Sequence, residues 1–406
     1  MRKLSCILLI LSGIACSTEQ DAEPGMEETF VKLIGNINDD FARDIKSTPD
    51  GGYIILSENT VELAEEEISK IHLIKTDDDG NVEWERLFPE TGADLTEASE
   101  RINLAGKSLQ VLQDGYIILG DSIYDEESSD LYLMRTDLQG NITNARSIRA
   151  DEGNFNTQVL ESAGSDTFII MSLLDDNDQA ENLSLSEVDG NLNEIWNQQY
   201  ILGANATVTK SIHIGSNNIT WGGTANLGGE QDLRFVTTPF DSKNSFFAPS
   251  IGENNGRNDR ASDLVKTPTG FIIVGTTNNT ALGDDDIYAV SITETGDLLW
   301  QATFGGTNDD FGEAVMLTTN DEIVILGTSL SFGNGERELF VVKTDLFGNP
   351  LWVDSETSGR TFGGLNDDTG AKIIEAPDGG LVILGTEDFG DVSTLIMIKT
   401  DSEGRL

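Results

Sequence analysis

The stretch TFGGTNDDFGEAVMLTTNDEIVILG, residues 303–327, sets the fold of this 406-residue chain. It places a Gly-rich corner and two aspartates before one apolar run, and a short polar turn before a second run. The segment LFVVKTDLFGNPLW, residues 339–352, adds a third run, a tight turn at Gly348-Asn349 and a tryptophan. Short β-rich runs separated by turn residues are typical of antiparallel strands. Together the two segments predict one four-stranded sheet.

Related units fill most of the chain. The second run recurs seven times, as GGYIIL at 51–56, DGYIILG at 114–120, DTFIIM at 166–171, NNITWGG at 217–223, TGFIIVG at 269–275, DEIVILG at 321–327 and GGLVILG at 379–385. The chain is too long for one ordinary core, and a recurring unit indicates an array of similar sheets. Large aromatic side chains follow the last turn of four units, at Trp84, Trp196, Trp300 and Trp352. We expect these rings to pack between neighbouring sheets.

The two ends of the chain each contain part of one unit. The last unit ends after its third run and tight turn, so its fourth run is missing. Residues 30–41, FVKLIGNINDDF, align without a gap with residues 300–311, WQATFGGTNDDF, which begin with a fourth run. A strand from the N-terminal end would close the ring and remove its exposed edges. We therefore predict an all-β, seven-bladed β-propeller over residues 28–406, with four-stranded antiparallel blades and residues 28–35 closing the last blade.

The first residues predict export from the cytoplasm. Residues 1–15 combine Arg2 and Lys3 with a short apolar run, as a signal peptide does. The sequence SGIAC at 12–16 resembles a bacterial lipobox, which implies that Cys16 is lipidated; cleavage after Ala15 with ordinary secretion is the alternative. Residues 16–27 are polar and acidic, which predicts a flexible tether. Resemblance to outer-membrane lipoproteins implies a protein anchored to the outer membrane by lipid alone, facing the periplasm or the cell surface.

The composition restricts the partners. Twenty-five Lys and Arg residues oppose 71 Asp and Glu residues, which gives a net charge of -46. This charge repels phosphate backbones and anionic lipid surfaces, so nucleic acid is not expected as a partner. The charge also favours solubility, and it is compatible with a cationic ligand. Cys6 lies in the predicted signal peptide and only Cys16 follows it, so we expect no internal disulfide and a monomer stabilised by packing.

The units resemble the β-propeller repeats of bacterial surface and secreted proteins. The shared features are the GGxxDD corner, the DGGyiixG run and the D-x-x-G-x-x-x-W turn, and they extend over residues 30–406. More distantly, the turn and its Trp resemble quinoprotein-like propellers, although no cofactor-binding motif is evident. These resemblances imply a propeller of the cell envelope and no resident cofactor.

Acidic corner pairs form the clearest polar constellation. They are Asp39-Asp40, Asp309-Asp310, Asp367-Asp368 and the partial match Asn258-Asp259. One interpretation is a ring of carboxylates that gathers Ca²⁺ or a cationic ligand at the channel mouth. The other is that each Asp accepts backbone N–H groups at a tight corner between blades. Because variable loops on a rigid scaffold usually supply binding residues, we expect any site on the face that holds the corners and the long, dissimilar loops.

Catalytic motifs are scarce in the sequence. His72 and His213 are the only histidines, and their isolation provides neither a zinc spacing nor a Ser-His-Asp set. We predict a non-catalytic binding or scaffold propeller for a protein or glycan partner. The alternative is a polysaccharide-degrading enzyme that uses carboxylates on the acidic loop face. Converging carboxylates beside an Arg or Tyr in a deep pocket would favour that alternative.

Overall fold

The structure, a computed structural model, describes most of the predicted propeller. The described residues are 29–35, 37–63, 66–89, 103–125, 128–148, 154–164, 166–175, 181–203, 206–227, 230–239, 250–251, 258–278, 285–333, 336–353 and 357–406. The predicted signal peptide, Cys16 and the tether lie outside these ranges. Among the described residues, no helix has the length and apolar character needed to cross a membrane.

The described strands form seven four-stranded antiparallel sheets, which confirms the predicted seven-bladed propeller. Blades 1 and 2 contain β2 (Asp39–Ser47), β3 (Tyr53–Leu63), β4 (Glu66–Thr76) and β5 (Val82–Phe88), then β6 (Asn103–Val111), β7 (Gly115–Asp125), β8 (Ser128–Asp137) and β9 (Ile142–Ile148). Blades 3 and 4 contain β10 (Asn154–Gly164), β11 (Thr167–Asp175), β12 (Glu181–Asp189) and β13 (Glu194–Gly203), then β14 (Thr207–Ile214), β15 (Asn218–Leu227), β16 (Glu230–Pro239) and β17 (Ser250–Ile251).

The remaining three blades follow the same order. Blades 5 and 6 contain β18 (Asp259–Thr267), β19 (Gly270–Asn278), β20 (Asp285–Ile292) and β21 (Leu298–Phe304), then β22 (Asp310–Leu317), β23 (Ile323–Ser329), β24 (Glu338–Thr344) and β25 (Arg360–Phe362). Blade 7 contains β26 (Asp367–Glu375), β27 (Leu381–Asp388), β28 (Ser393–Thr400) and β1 (Phe30–Ile34). The first strand of every blade is the inner one and lies next to the central channel.

Strand β1 closes the ring as predicted. It pairs antiparallel with β28, in a register that runs from Phe30 opposite Lys399 to Ile34 opposite Leu395. The strand is shorter than the predicted closing segment of residues 28–35. Ile34 is buried in the apolar cluster between blades 7 and 1, and Phe30 packs against the same cluster. The N-terminal strand therefore adds both a hydrogen-bonded edge and core contacts.

The core lies between successive sheets. Each apolar cluster combines side chains of two neighbouring blades, as Ile55 of blade 1 and Leu384 of blade 7 illustrate. Alternate residues of a strand point to opposite faces of its sheet. Both faces of a blade are covered by its neighbours, so the central strands contain four successive apolar residues, IVIL in β23, LFVV in β24 and LVIL in β27. This explains the repeated runs such as IVILG, which do not alternate in polarity.

All four tryptophans pack between neighbouring blades, as expected: Trp196 packs against the apolar cluster that blades 3 and 4 share, and the other three lie on turn glycines. A Cβ atom added to Gly348 of blade 6 would lie 2.9 Å from the ring of Trp300 in blade 5. Trp84 covers Gly140 and Trp352 covers Gly404 in the same way, so each ring lies on the turn glycine of the next blade. Phe30, the residue aligned with Trp300, lies against Gly80 of blade 1. An aromatic side chain therefore also covers a turn glycine at the junction between blades 7 and 1.

One blade junction uses a different pair of residues. Blade 2 has Asn144 at the position of the tryptophan, and its Nδ2 donates a hydrogen bond to the Asn191 carbonyl oxygen at 2.8 Å. The following turn has Leu192 in place of glycine, at a φ of 65°, and this side chain is fully buried. Because no aromatic ring covers this turn, a side chain fits where glycine is otherwise required.

Ion pairs between lysine and acidic residues stabilise the short hairpins that join the first and second strands. Lys75 lies 3.0 Å from Asp50 and 3.1 Å from Glu83, and the Lys399 ammonium binds Asp378. The lysine of the Lys-Thr-Asp motif therefore pairs with the first hairpin turn of its own blade. These motif residues have structural partners, so they explain the repeat without a ligand.

Candidate functional site

The propeller has two unlike faces. The corner face contains the connections between blades and the loops that join second and third strands, and the turn face contains the short hairpins. The first acid of each corner pair accepts a backbone N–H from the preceding blade: Asp39 at 2.7 Å, Asp309 at 3.2 Å and Asp367 at 2.9 Å. Their respective donors are Ser393, Asp285 and Arg337. These three side chains hold neighbouring blades together at the corner.

The second acid of each pair is completely buried; these are Asp40, Asp259, Asp310 and Asp368. Asp310 Oδ2 accepts hydrogen bonds from the Gly306 N–H at 2.8 Å and the Ser331 hydroxyl at 2.7 Å. Asp368 Oδ2 accepts one from the Gly364 N–H at 3.2 Å. These contacts match the interpretation of the pairs as backbone acceptors. Binding of Ca²⁺ or a cationic ligand by the corner acids stays a prediction.

The corner between blades 6 and 7 brings several carboxyl groups together. A Cβ atom on Gly363 would overlap both Glu338 Oε2 and Asp368 Oδ2, so the two carboxyl groups approach the same glycine. Burial, followed by the charges of Glu387, Glu338 and Asp367, raises the pKa of Asp368 to about 7, although the Gly364 hydrogen bond opposes this. Asp368 is therefore largely protonated in weakly acidic solution.

His72 belongs to a buried polar contact. Its Nδ1 lies 2.8 Å from Asp40 Oδ1, and both side chains are inaccessible to solvent. Asp40 Oδ1 also accepts a hydrogen bond from the Ser57 hydroxyl at 3.3 Å. His213 is on β14, the first strand of blade 4, and makes an edge contact with Phe271 at a centroid distance of 5.5 Å. The two histidines therefore do not share a site.

Within the described residues, one group of three acidic side chains has ligand atoms close enough for a metal ion: Asp77, Asp78 and Asp79. They form the tight turn between β4 and β5. Asp77 accepts hydrogen bonds from the Asn81 N–H at 2.7 Å and from its Nδ2 at 3.0 Å. The same bonds lower the pKa of Asp77. Equivalent bonds occur at Asp137 and Asp345, so the turn itself accounts for the position of the first acid.

A cavity occupies the corner side of the central channel. Its volume is about 390 Å³, and the first strands of six blades line most of it. Its basic lining residues are Arg43, Lys46, Lys107, Lys210 and Lys372, and its acidic lining residues are Asp44, Glu161 and Glu313. The corner aspartates predicted as site residues do not line this cavity. Among the described residues, this cavity brings eight charged side chains to one volume.

Lys372 separates the two ends of the channel. Its Nζ lies 3.2 Å from Asp263 Oδ2 in blade 5 and 3.1 Å from Ser211 Oγ in blade 4. Burial lowers the pKa of this lysine, but the charges of Asp263 and Asp44 outweigh burial and raise it. Lys372 and Ser211 line both the corner-side cavity and a second cavity of about 330 Å³ on the turn side. The charged lysine thus spans the channel between them.

The basic cavity residues were missed in the sequence, although a positional signal exists. Arg43, Lys107 and Glu313 each occupy the residue skipped by a bulge in the first strand of their blade. A bulge aims an additional side chain away from the regular ladder. Arg43 and Glu313 each lie four positions after the first residue of their corner pair, Asp39 and Asp309. A charged residue at this bulge position, basic in blades 1 and 2, was the available clue.

Comparison with known proteins shows the fold and no family. No family model and no curated protein matches the chain. It is similar to the Penicillium chrysogenum α-L-arabinanase, solved with arabinobiose, at 12% identity and a TM-score of 0.50, covering 79% of this chain and 98% of that one. It is also similar to the β-propeller domain of the Trilobed protease from Pyrococcus furiosus, which has an open velcro topology, at 10% identity and a TM-score of 0.49, covering 90% and 95%.

A third similar structure is a puromycin hydrolase, at 13% identity and a TM-score of 0.47. The match covers 86% of this chain but half of the hydrolase. The structural neighbours thus include glycoside hydrolases and other enzymes. At such low identities the likeness extends to the propeller fold alone.

Proposed function

We propose that this protein is a lipid-anchored propeller of the cell envelope that binds a protein or glycan partner through its corner face without chemistry. The difference between the two faces is the observation that supports this proposal. Repeated hairpins with internal hydrogen bonds form the turn face, whereas dissimilar loops and the mouth of the channel cavity share the corner face. Binding residues are commonly found on variable loops that a rigid scaffold positions.

Two apolar side chains make the corner face suitable for a partner. Ile37 is 94% exposed and Leu365 is 84% exposed, and they lie on the corners that flank blade 7. Exposed single apolar residues are ordinary, but aliphatic side chains on a loop face supply area that binding removes from water. The acidic first residues of the corner pairs lie close to them in sequence, which favours a partner with apolar and basic groups.

Replacing these two side chains tests the proposed face. We expect Ile37→Ser with Leu365→Ser to weaken capture of a partner from solubilised envelope at least 10-fold, because two buried aliphatic contacts are worth about 3 kcal/mol. Phe347→Ser is the matched control, since Phe347 is 76% exposed on the turn face. Quantitative mass spectrometry of the captured material measures the effect. Equal capture by the corner-face variant and the wild type would remove this face from the proposal.

A polysaccharide-degrading activity is the second candidate, and Glu161 favours it. Burial raises the pKa of this cavity carboxyl group, as is common for a general acid. Incubating the protein with purified polysaccharides and measuring new reducing ends separates the candidates. If the protein releases reducing ends and the Glu161→Gln variant releases none, the enzyme is supported. If the protein binds a polysaccharide and releases no reducing ends, the binding propeller is supported.

The anchor is tested separately. We expect Cys16→Ala to move the protein from the membrane fraction to the soluble fraction of cells, because the lipid is the only proposed contact with the membrane. Immunoblots of fractionated cells measure the distribution, and labelling with a palmitate analogue reports the modification itself. Membrane retention of the unlabelled variant would contradict lipid anchoring through Cys16.

A further inference from the structure

We propose that the corner-side channel cavity binds an oxyanion, namely a carboxylate, sulfate or phosphate group carried by a molecule of about monosaccharide size. This inference rests on the proposed binding function and specifies the ligand class of one site on that face. It concerns a cationic surface within a strongly acidic protein. The corner aspartates do not contribute to it.

The sign of the charge is reversed in the cavity lining. The chain has nearly three acidic residues for each basic one, at 71 against 25. The lining instead has five basic side chains and three acidic ones. Acidic residues would dominate the lining if it resembled the rest of the chain. The reversal therefore indicates a local preference for negative groups.

The basic groups are also more accessible to solvent than the acidic groups that pair with them. In each of the five ion pairs of the lining, the basic side chain is the more exposed member. Lys107, for example, is 26% exposed and Asp121 is 5% exposed, across 3.7 Å. Lys210 lies 3.1 Å from Glu313 and is again the more exposed of the two. The ammonium and guanidinium groups are therefore more accessible to a ligand than the carboxylates with which they pair.

The wall carboxylates already have other donors. Asp44 accepts hydrogen bonds from the Ile45 N–H at 2.9 Å and the Leu109 N–H at 3.0 Å. Asp263, the partner of Lys372, likewise accepts two backbone N–H groups, at 2.9 Å and 3.2 Å. The pKa of Glu161 is raised, which reduces its negative charge in mildly acidic solution. These contacts limit how far the acids offset the basic groups facing the cavity.

The cavity also fixes the size of the ligand and its direction of entry. A volume of about 390 Å³ is at the small end of ligand sites, so a single sugar ring fits better than a long chain. Phe41 offers an apolar contact, and Ser108 and Thr369 offer hydroxyl groups beside the charged side chains. Lys372 lies between this cavity and the turn-side cavity, so we expect the ligand to enter from the corner face.

Calorimetric titration of the purified propeller tests the site. The probes are galacturonate, galactose, inorganic sulfate and inorganic phosphate, at low and high salt. We expect galacturonate to bind at least 10-fold more tightly than galactose, and its affinity to fall as salt rises. Lys107→Gln with Lys210→Gln should weaken galacturonate binding at least 10-fold. Lys266→Gln is the control, because Lys266 lines the turn-side cavity and pairs with Glu294 at 3.0 Å.

The outcomes separate this inference from the proposed function. Binding of galacturonate but not the inorganic ions supports a site for an acidic sugar, and equal binding of all three anions supports a general oxyanion site. Equal affinity for galactose and galacturonate overturns the inference, as does an unaffected double variant. Thermal melting confirms that the variants fold, and Lys107→Gln alone provides a milder variant. Partner capture through the corner face is measured independently, so either result can fail alone.

Discussion

Deletion of residues 28–35 is expected to lower the melting temperature by about 5 °C or more. The deletion removes the whole β1 ladder, in which five residues pair with β28. It also removes Ile34 and Phe30 from the cluster between blades 7 and 1. Burial of two such side chains is worth about 3–6 kcal/mol, and a domain of this size loses roughly 1–2 °C per kcal/mol. Scanning calorimetry measures the change.

Two controls distinguish loss of ring closure from loss of chain length. Deletion of residues 17–27, which the structure does not describe, should leave the melting temperature unchanged. Adding a peptide of residues 28–35 to the truncated protein should restore part of the loss, because an unpaired β28 edge can accept a strand. If the truncated propeller melts like the full chain, closure by β1 contributes little to its stability.

The fold was predictable because the repeat encodes the same four-stranded sheet several times. Seven similar apolar runs indicate seven sheets, and the alignment of residues 30–41 with residues 300–311 identifies the closing strand. The exact partners are less visible in the sequence. Asn144 and Leu192 illustrate this. Asn144 of blade 2 stands where other blades have tryptophan, and Leu192 of blade 3 stands where the next turn usually has glycine, so the two changes fit together across the junction. A single unit of the repeat contains only half of that pair.

The site was less predictable for a geometric reason. Asp39 and Asp40 are adjacent and chemically identical, but successive side chains of a strand point in opposite directions. The structure buries Asp40 completely and places Asp39 against the Ser393 N–H. Their roles therefore depend on the register of the strand, which the corner motif does not determine.

The channel contacts depend on closure of the whole ring. Lys372 meets Asp263 across 109 residues, and Lys210 meets Glu313 across 103 residues. A sequence motif cannot pair such residues, because whole blades separate them in the sequence. The cavity is consequently a property of the assembled propeller.

The buried carboxyl group of Asp368 makes stability depend on pH. Its pKa in the folded protein is about 7, above the ordinary value of 3.8, so folding favours the protonated form. Below about pH 4 the group is protonated in both states and imposes no penalty. The penalty grows as the pH rises from about 4 to about 7, and it is complete above that range. Removing the ionisable group should therefore stabilise the propeller most in alkaline solution.

We expect Asp368→Asn to be more stable than the wild type at pH 8 by about 2–4 kcal/mol, which raises the melting temperature by roughly 3–5 °C. The asparagine oxygen can still accept the Gly364 N–H, and its amide group can donate to the neighbouring Glu338. Melting curves from pH 4 to pH 8 should show a difference that grows with pH and then levels off. Asp391→Asn is the matched control, because Asp391 is exposed and its replacement removes the same charge. A constant difference across this range, or the same pH profile in both variants, would show that the charge of the buried Asp368 does not limit stability.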